Sequence, residues 1–168
     1  MRKNQRYLYL VEGEDEKRLV DVLKTEFQVI YAGKTQVFNA VEEKITDLRL
    51  MNISENTLVV LVFDTDIPKS DILLDNIKKL DSCPRVTKVC CIPQVKNIED
   101  ELIRSCDIKT IKELTKSKTD RDFKRDWLNC SNPAKRLQSC GFRIGRLWNQ
   151  NPPAPFHIIS NDSGLLKK

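Results

Sequence analysis

The chain has one histidine, His157, in 168 residues, and its six cysteines form no C-x-x-C pair. Zinc sites usually draw sulfur and imidazole ligands from short, paired spacings, which Cys83, Cys90, Cys91, Cys106, Cys130 and Cys140 do not offer. The adjacent Cys90 and Cys91 lie in the apolar run Val89-Cys90-Cys91-Ile92, where a strand would point them to opposite faces. Reduced, buried or half-buried thiols are therefore expected, in keeping with a reducing compartment. Long apolar runs are also lacking, since none approaches the roughly 18 residues needed to cross a bilayer. The start is basic (Met1, Arg2, Lys3, Arg6), but the apolar stretch Tyr7-Leu8-Tyr9-Leu10-Val11 meets acids at once, too soon for a secretory signal. A cytoplasmic location without a membrane partner is the expectation. Internal repeats and low-complexity tracts are lacking too.

What is present reads as an ordinary globular chain, with 40% hydrophobic and 32% charged residues, long enough for one continuous core. The net charge of +5 is unevenly spread: residues 109–150 hold eleven Lys or Arg against four Asp or Glu, and the remainder is slightly acidic. An acidic part beside a basic part suits a polyanionic substrate, although a solvated basic surface would look the same.

Two acidic signatures stand where apolar runs end. Residues 7–11 run into Glu12-Gly13-Glu14-Asp15-Glu16, and Leu58-Val59-Val60-Leu61-Val62-Phe63 runs into Asp64-Thr65-Asp66. An ionised acid beside a core is costly unless something positive meets it. Acids converging from two strand ends repel one another, and a divalent cation relieves that repulsion. Asp64 and Asp66 are two apart, so an extended segment points both the same way. Oxygen-only ligation suits Mg²⁺ or Mn²⁺.

The periodicities give strands at residues 6–11, 27–31, 58–63 and 86–92. Helices are expected at 15–26 and 37–51, around Leu73 to Leu80, and from an Asn97 N-cap onward. The uniformly apolar third strand marks a sheet covered on both faces. Alternating strands and helices predict a three-layer α/β parallel-sheet domain over residues 1–106. Residues 107–168 form a basic, mainly helical extension packed on it: polar helix over 108–128, a looser stretch containing Asn132-Pro133 and Gly141, a last strand at 156–159 and a frayed tail. In such sheets, chemistry gathers beyond the carboxyl ends of the strands, where Glu12 and Asp64 sit and Gly13 is expected to permit a tight turn.

Val11-Glu12-Gly13-x-x-Glu16 followed by Phe63-Asp64-Thr65-Asp66 resembles the Toprim domain. That domain is shared by topoisomerases, primases, ribosomal-RNA maturation nucleases and the OLD-family (overcoming lysogenization defect) nucleases. The resemblance covers roughly residues 6–105 and implies a Rossmann-like core with an acidic Mg²⁺ or Mn²⁺ site. By position it makes Glu12 a general acid/base or metal ligand and makes Asp64 and Asp66 metal ligands. It gives Glu16 to a second metal, with Asp15 as its close competitor, and puts Gly33-Lys34 near the site. Topoisomerases need a partner tyrosine on a separate domain, and primases a zinc module and a helical domain. The resemblance therefore points to the small nuclease branch, used in RNA processing or anti-phage defence.

Acids in the first turn of a helix also need no metal, because the macrodipole favours them there. That applies to Glu14, Asp15 and Glu16, and again to Glu99, which otherwise could add a carboxylate to a second metal, with Lys96 beside it to neutralise phosphate. In the basic half, Lys116, Lys118, Arg121, Lys124 and Arg125 are candidates for the nucleic-acid backbone, with Lys34 and Lys96. Lys118 and Lys124 are also candidates to stabilise charge on the scissile phosphate. Phe123 and Trp127 either stack on bases or, with Leu128, form the apolar face of an amphipathic helix. Phe142 and Trp148 read as packing residues. The leading expectation is a metal-dependent nuclease cleaving DNA or RNA. The alternatives are a non-catalytic nucleic-acid- or nucleotide-binding module that meets protein partners in a larger assembly, and a phosphatase- or receiver-type enzyme, which the Glu-Gly signature disfavours.

Overall fold

A computed structural model describes residues 4–168, so Met1, Arg2 and Lys3 of the basic start lie outside the described residues. Four strands, β1 (Arg6–Val11), β2 (Lys34–Val37), β3 (Thr57–Asp64) and β4 (Val86–Gln94), form one all-parallel sheet in the order β2-β1-β3-β4. The apolar runs at β1 and β3 become its centre because only strands covered on both faces can bury every side chain. Pro93, which lacks an N–H, is tolerated because β4 is an edge strand.

Alternation along the strands divides the core into two layers. Tyr9, Val11, Val60, Val62, Cys90 and Ile92 face α1 (Glu14–Thr25) and α4 (Ile98–Ser105). Leu8, Leu10, Val59, Leu61, Phe63 and Cys91 face α3 (Asp71–Asp81), with Phe38, Val41, Ile45 and Phe156. Cys90 and Cys91 thus take opposite faces, and all six cysteines are free thiols. This is the three-layer α/β architecture that the alternation predicts. Among the described residues, no helix is long and apolar enough to cross a membrane.

Most of the buried apolar residues beyond 106 share the first of these cores, while Phe156 and Ile159 join the second. Helices α5 (Lys112–Thr115), α6 (Phe123–Asn129) and α7 (Pro133–Ser139) bring Leu114, Phe123, Trp127 and Leu137 against α1 and α4, joined by Leu147 and Trp148. Phe123 and Trp127 are fully buried, which removes the base-stacking role, while Leu128 is 41% exposed and is not part of the apolar face. The helix expected over 108–128 is broken into α5, a 3-10 turn at Asp120–Asp122 and α6. The break follows Lys116, which closes α5 in the left-handed region at φ 57°. The stretch after Asn132 is helical as α7, with the Asn132 side chain capping Lys135 N–H and Pro133 at the first turn.

The largest departures lie between residues 27 and 53. Residues 27–31 form a loop pinned by Tyr7 stacking on Tyr31, at 4.9 Å between ring centroids, and by Tyr9 Oη donating to the Tyr31 carbonyl at 2.6 Å. The second strand is instead the polar Lys34–Val37, whose edge position leaves little hydrophobic signal to read. The helix expected over 37–51 shrinks to α2 (Asp47–Met51). Asn39 Oδ1 accepts from Val41 N–H in a local turn, and Thr46 caps a fresh helix start. Val41 and Ile45 still enter the core, but from irregular backbone.

At the end of the chain, Phe156–Ile158 is a 3-10 turn rather than a strand. The tail is docked rather than frayed: Asp162 accepts from Cys91 N–H and donates its own N–H to the Cys91 carbonyl, and Leu166 is buried. These bonds cover part of the β4 edge, where unpaired backbone groups would otherwise face outward.

Candidate metal centre

Glu12 follows β1, and Asp64 ends β3, one strand over in the sheet. Asp64 N–H donates to Glu12 Oε2 at 2.9 Å, so the two strand-end acids are tied together directly. Gln94, aligned with Asp64 on β4, donates from Nε2 to Asp64 Oδ1 at 2.6 Å. Trp148 Nε1 in turn donates to Gln94 Oε1 at 3.2 Å, which fixes the Gln94 amide. Each acid thereby spends one oxygen on the protein. Glu12 Oε1 and Asp64 Oδ2 have no hydrogen-bond partner among the described residues.

Glu16, on the first turn of α1, is buried, and its Oε2 lies over Gly13: a Cβ on Gly13 would meet that oxygen at 3.1 Å. Gly13 itself is extended, at φ −149° and ψ −177°, so the left-handed turn that a glycine favours is not its role. What it supplies is space for the Glu16 carboxylate. Thr65, buried beyond Asp64, hydrogen-bonds Lys96 in both directions, and Asp66 stands exposed at the rim.

The electrostatics follow from this crowding. Burial raises the Asp64 pKa to about 9, with Glu12, Glu16 and Asp66 adding repulsion that the Gln94 hydrogen bond offsets only in part. Burial likewise raises Glu16 to about 7, helped by the negative charges of Asp15 and Glu12. Glu12 is pushed up by burial against the pull of the Asp64 N–H, with Asp66 adding to the rise.

A second acidic pair lies alongside. Lys124 Nζ sits 3.5 Å from Asp15 Oδ2 and 3.6 Å from Glu99 Oε1, and its position comes from packing. Trp127, one turn along α6, is buried and donates from Nε1 to the Asp15 carbonyl at 3.2 Å, which seats α6 over the start of α1. Burial works to lower the Lys124 pKa, but Glu99 and Asp15, then Glu16, outweigh it and raise it. Asp15 is nonetheless raised by burial despite that lysine. Asp15 Oδ1 and Glu99 Oε2 are buried without any hydrogen-bond partner. Asp15 thus pairs directly with Lys124, whereas Glu16 makes no ion pair among the described residues but feels the charges of Asp15, Glu12 and Lys124 and adds its own to Asp64.

Three features of this edge carry no sequence motif. Gln94 and Trp148 hold Asp64, and the fully buried Glu101 holds Trp148. Glu101 Oε2 accepts from Trp148 N–H at 2.9 Å, and its Oε1 accepts from Val95 N–H and Arg104. Trp148 is left-handed at φ 55°, a conformation a bulky residue keeps only when its surroundings over-determine it. Asn161 and Ser163 complete the hold through the Trp148 carbonyl. The signal available in sequence was only that Gln94 closes the fourth apolar run, aligned by count with Asp64.

The basic candidates are dispersed. Lys96 is at the acidic edge, exposed and 3.9 Å from Asp100. Lys116, Lys118 and Arg121 are exposed in and after α5, and none pairs with the strand-end acids. Arg121 lines a small cavity with Lys109, Asn97 and Glu99. Arg125 is committed to Asp122 and Asp126, at 3.1 and 3.0 Å. Lys34 does not sit at the acidic edge: it opens β2 level with Leu8, three residues before the level of Val11, or roughly 10 Å away at strand rise.

Comparison with protein-family models, with curated proteins and with solved structures found no match to this chain.

Among the described residues, no three acids, cysteines or histidines are already drawn to metal-binding spacing. The donor set itself fits a hard divalent cation: all oxygen, partly buried, with orphaned oxygens on Asp15 and Glu99. The raised pKa values predict a pH signature. Between the ordinary carboxylate range near 4 and the folded values of about 7 and about 9, the folded chain retains protons that the unfolded chain releases. Stability in EDTA therefore falls as pH rises through that window. A cation displaces those protons, so Mg²⁺ should raise the thermal midpoint more at pH 8 than at pH 6, which melting curves at the two pH values measure.

Proposed function

We propose that this chain is a Toprim-type, Mg²⁺- or Mn²⁺-dependent nuclease that cleaves phosphodiester bonds of DNA or RNA. The observation that carries the reading is the cluster of Glu12, Glu16 and Asp64. Glu12 and Asp64 are partly buried acids at adjoining strand ends, and Glu16 is buried on the first turn of α1. Burial and their mutual repulsion raise their pKa values, and the hydrogen bonds from Asp64 N–H and Gln94 and the charge of Lys124 near Glu12 and Glu16 offset this only in part. A protein that keeps such a cluster at the carboxyl edge of a parallel sheet has placed it where substrates bind in open α/β folds.

In this reading Glu12, Asp64 and Asp66 hold one ion, and Asp15 or Glu16 with Glu99 holds another. A bound divalent cation supplies Lewis-acid stabilisation of the phosphoryl oxygens and lowers the pKa of an attacking water. Glu12, whose pKa is raised, is suited to move a proton at the reacting oxygen. Gln94 orients Asp64, and Lys124, whose side chain is 58% exposed and paired with Asp15 and Glu99, stabilises charge on the scissile group. Lys116, Lys118 and Arg121, exposed beyond α5, are the candidates to meet the nucleic-acid backbone.

Labelled single- and double-stranded DNA and RNA, incubated with Mg²⁺, Mn²⁺ or EDTA, test this. Metal-dependent cleavage supports the nuclease; binding that survives in EDTA, with no substrate cut in either metal, favours a nucleic-acid-binding module.

A further inference from the structure

We propose that the cleft along β2, on the α2 side of the sheet, binds a phosphate ester of nucleotide size, separately from the acidic edge. The cleft has a volume of about 800 Å³, inside the range of roughly 300–1,000 Å³ typical of small-molecule sites. It exists because residues 38–53 cross this part of the sheet as irregular backbone with only the short α2, where a longer helix would have filled the space.

The lining separates into two chemistries. Leu8 and Leu10 of β1 and Val37 of β2 give an apolar floor, and Leu48 on α2 stands at the rim, 68% exposed. Arg6, Lys34 and Arg49 also line the cleft, while no aspartate or glutamate does among the described residues. None of these three cations takes part in an ion pair among the described residues, although most of the arginines in the second half of the chain do. Arg49 is held over the Phe38 ring, 4.6 Å from its centroid, and donates to Gln36 Oε1 at 3.2 Å. Both contacts orient its guanidinium without neutralising it.

Like charges around a concavity repel, and an anion shared among them removes that cost. Phosphate oxygens suit the arginine forks of Arg6 and Arg49 and the point charge of Lys34. The apolar floor then takes the organic part of the ligand, which a bare anion would leave uncovered. Since Lys34 is level with Leu8, the charged end of the cleft is at the amino ends of the strands, opposite Glu12 and Asp64.

Calorimetric titration of the full chain in EDTA, with ADP, pyrophosphate and adenosine as separate probes, tests the assignment without involving a metal at the acidic edge. ADP should bind, and more tightly than either pyrophosphate or adenosine. Lys34→Glu should weaken ADP by at least about tenfold, the effect of losing one charge-assisted contact. Lys109→Glu, an exposed cation outside the cleft, should change it by less than about twofold, as surface changes usually do. Because Lys34 begins a strand, Arg49→Gln on α2 serves as a second variant with the same expected direction. Absence of ADP binding at millimolar concentration, equal losses in Lys34→Glu and Lys109→Glu, or pyrophosphate binding as tightly as ADP would each overturn the proposal.

Discussion

Asp64→Asn should abolish metal-dependent cleavage, lowering the rate by at least about 10³-fold, as expected when a charged group that acts on the transition state is removed. The substitution is close to isosteric, and the amide oxygen can still accept from Gln94 Nε2, so the local hydrogen bonding is kept. The sign of its effect on stability separates loss of function from loss of fold. Asp64 is a partly buried acid whose pKa is raised to about 9, chiefly by burial. At pH 8 the folded chain therefore bears an unfavourable linkage that asparagine lacks. In EDTA, Asp64→Asn should be at least as stable as the parent at pH 8, and its melting temperature should fall less between pH 6 and pH 8. A rate assay and a pair of melting curves read both effects on the same samples. Cleavage at the parental rate would remove Asp64 from the chemistry, and a large drop in stability would mean that the lost rate reflects damage.

The second large effect is structural and lies one layer behind the acids. Glu101→Ala should destabilise the fold by about 3–5 kcal/mol, the range for breaking a buried, hydrogen-bonded charge network by removing one partner. Glu101 is fully buried, and its carboxylate accepts from Trp148 N–H, Val95 N–H and Arg104. Removing it orphans two backbone donors and leaves Arg104, whose side chain is only 24% exposed, without its acid. For a domain of this size each kcal/mol shifts the thermal midpoint by roughly 2–4 °C, so a fall of roughly 6–20 °C is expected. Glu26→Ala, at an exposed position, should stay within about 0.5 kcal/mol and serves as the control. The loss should also reach the site, because the strained Trp148 that Glu101 steadies is the residue that fixes Gln94 against Asp64.

The elements legible in sequence were those whose residues face one kind of environment along their whole length. The central strands β1 and β3 are apolar on both faces, and α1 and α4 carry a regular apolar stripe with acids at the first turn, so each reads from period alone. The segment between residues 27 and 53 did not read, because its apolar residues reach the core from a loop and an edge strand. Lys34–Val37 is polar, and its place is set by pairing with β1, a contact that no local pattern encodes. Gly33 belongs to the same cause: a Cβ there would come within 2.6 Å of the Tyr7 Cβ, so close approach to β1 demands glycine.

At the candidate site the strand-end acids were legible, since a carboxylate after an apolar run is costly on its face. Their supports were not. Gln94, Glu101 and Trp148 span more than fifty residues of chain and meet only through the cross-strand alignment of Asp64 with Gln94 and the fold of the extension over α4. That Asp15 is the one of the two to pair with Lys124 was likewise decided by α6, whose Trp127 sets Lys124 over Asp15.

The central claim is that Glu12, Asp64 and Asp66 share a hard divalent cation at the carboxyl edge of the sheet. Crystals of the full chain grown with Mn²⁺ and measured near the manganese absorption edge test it most directly. The account predicts anomalous density between β1 and β3, in contact with carboxylate oxygens of Glu12 and Asp64 and lost in Asp64→Asn. Manganese bound elsewhere on the molecule, with those acids still tied only to Asp64 N–H and Gln94, would contradict it.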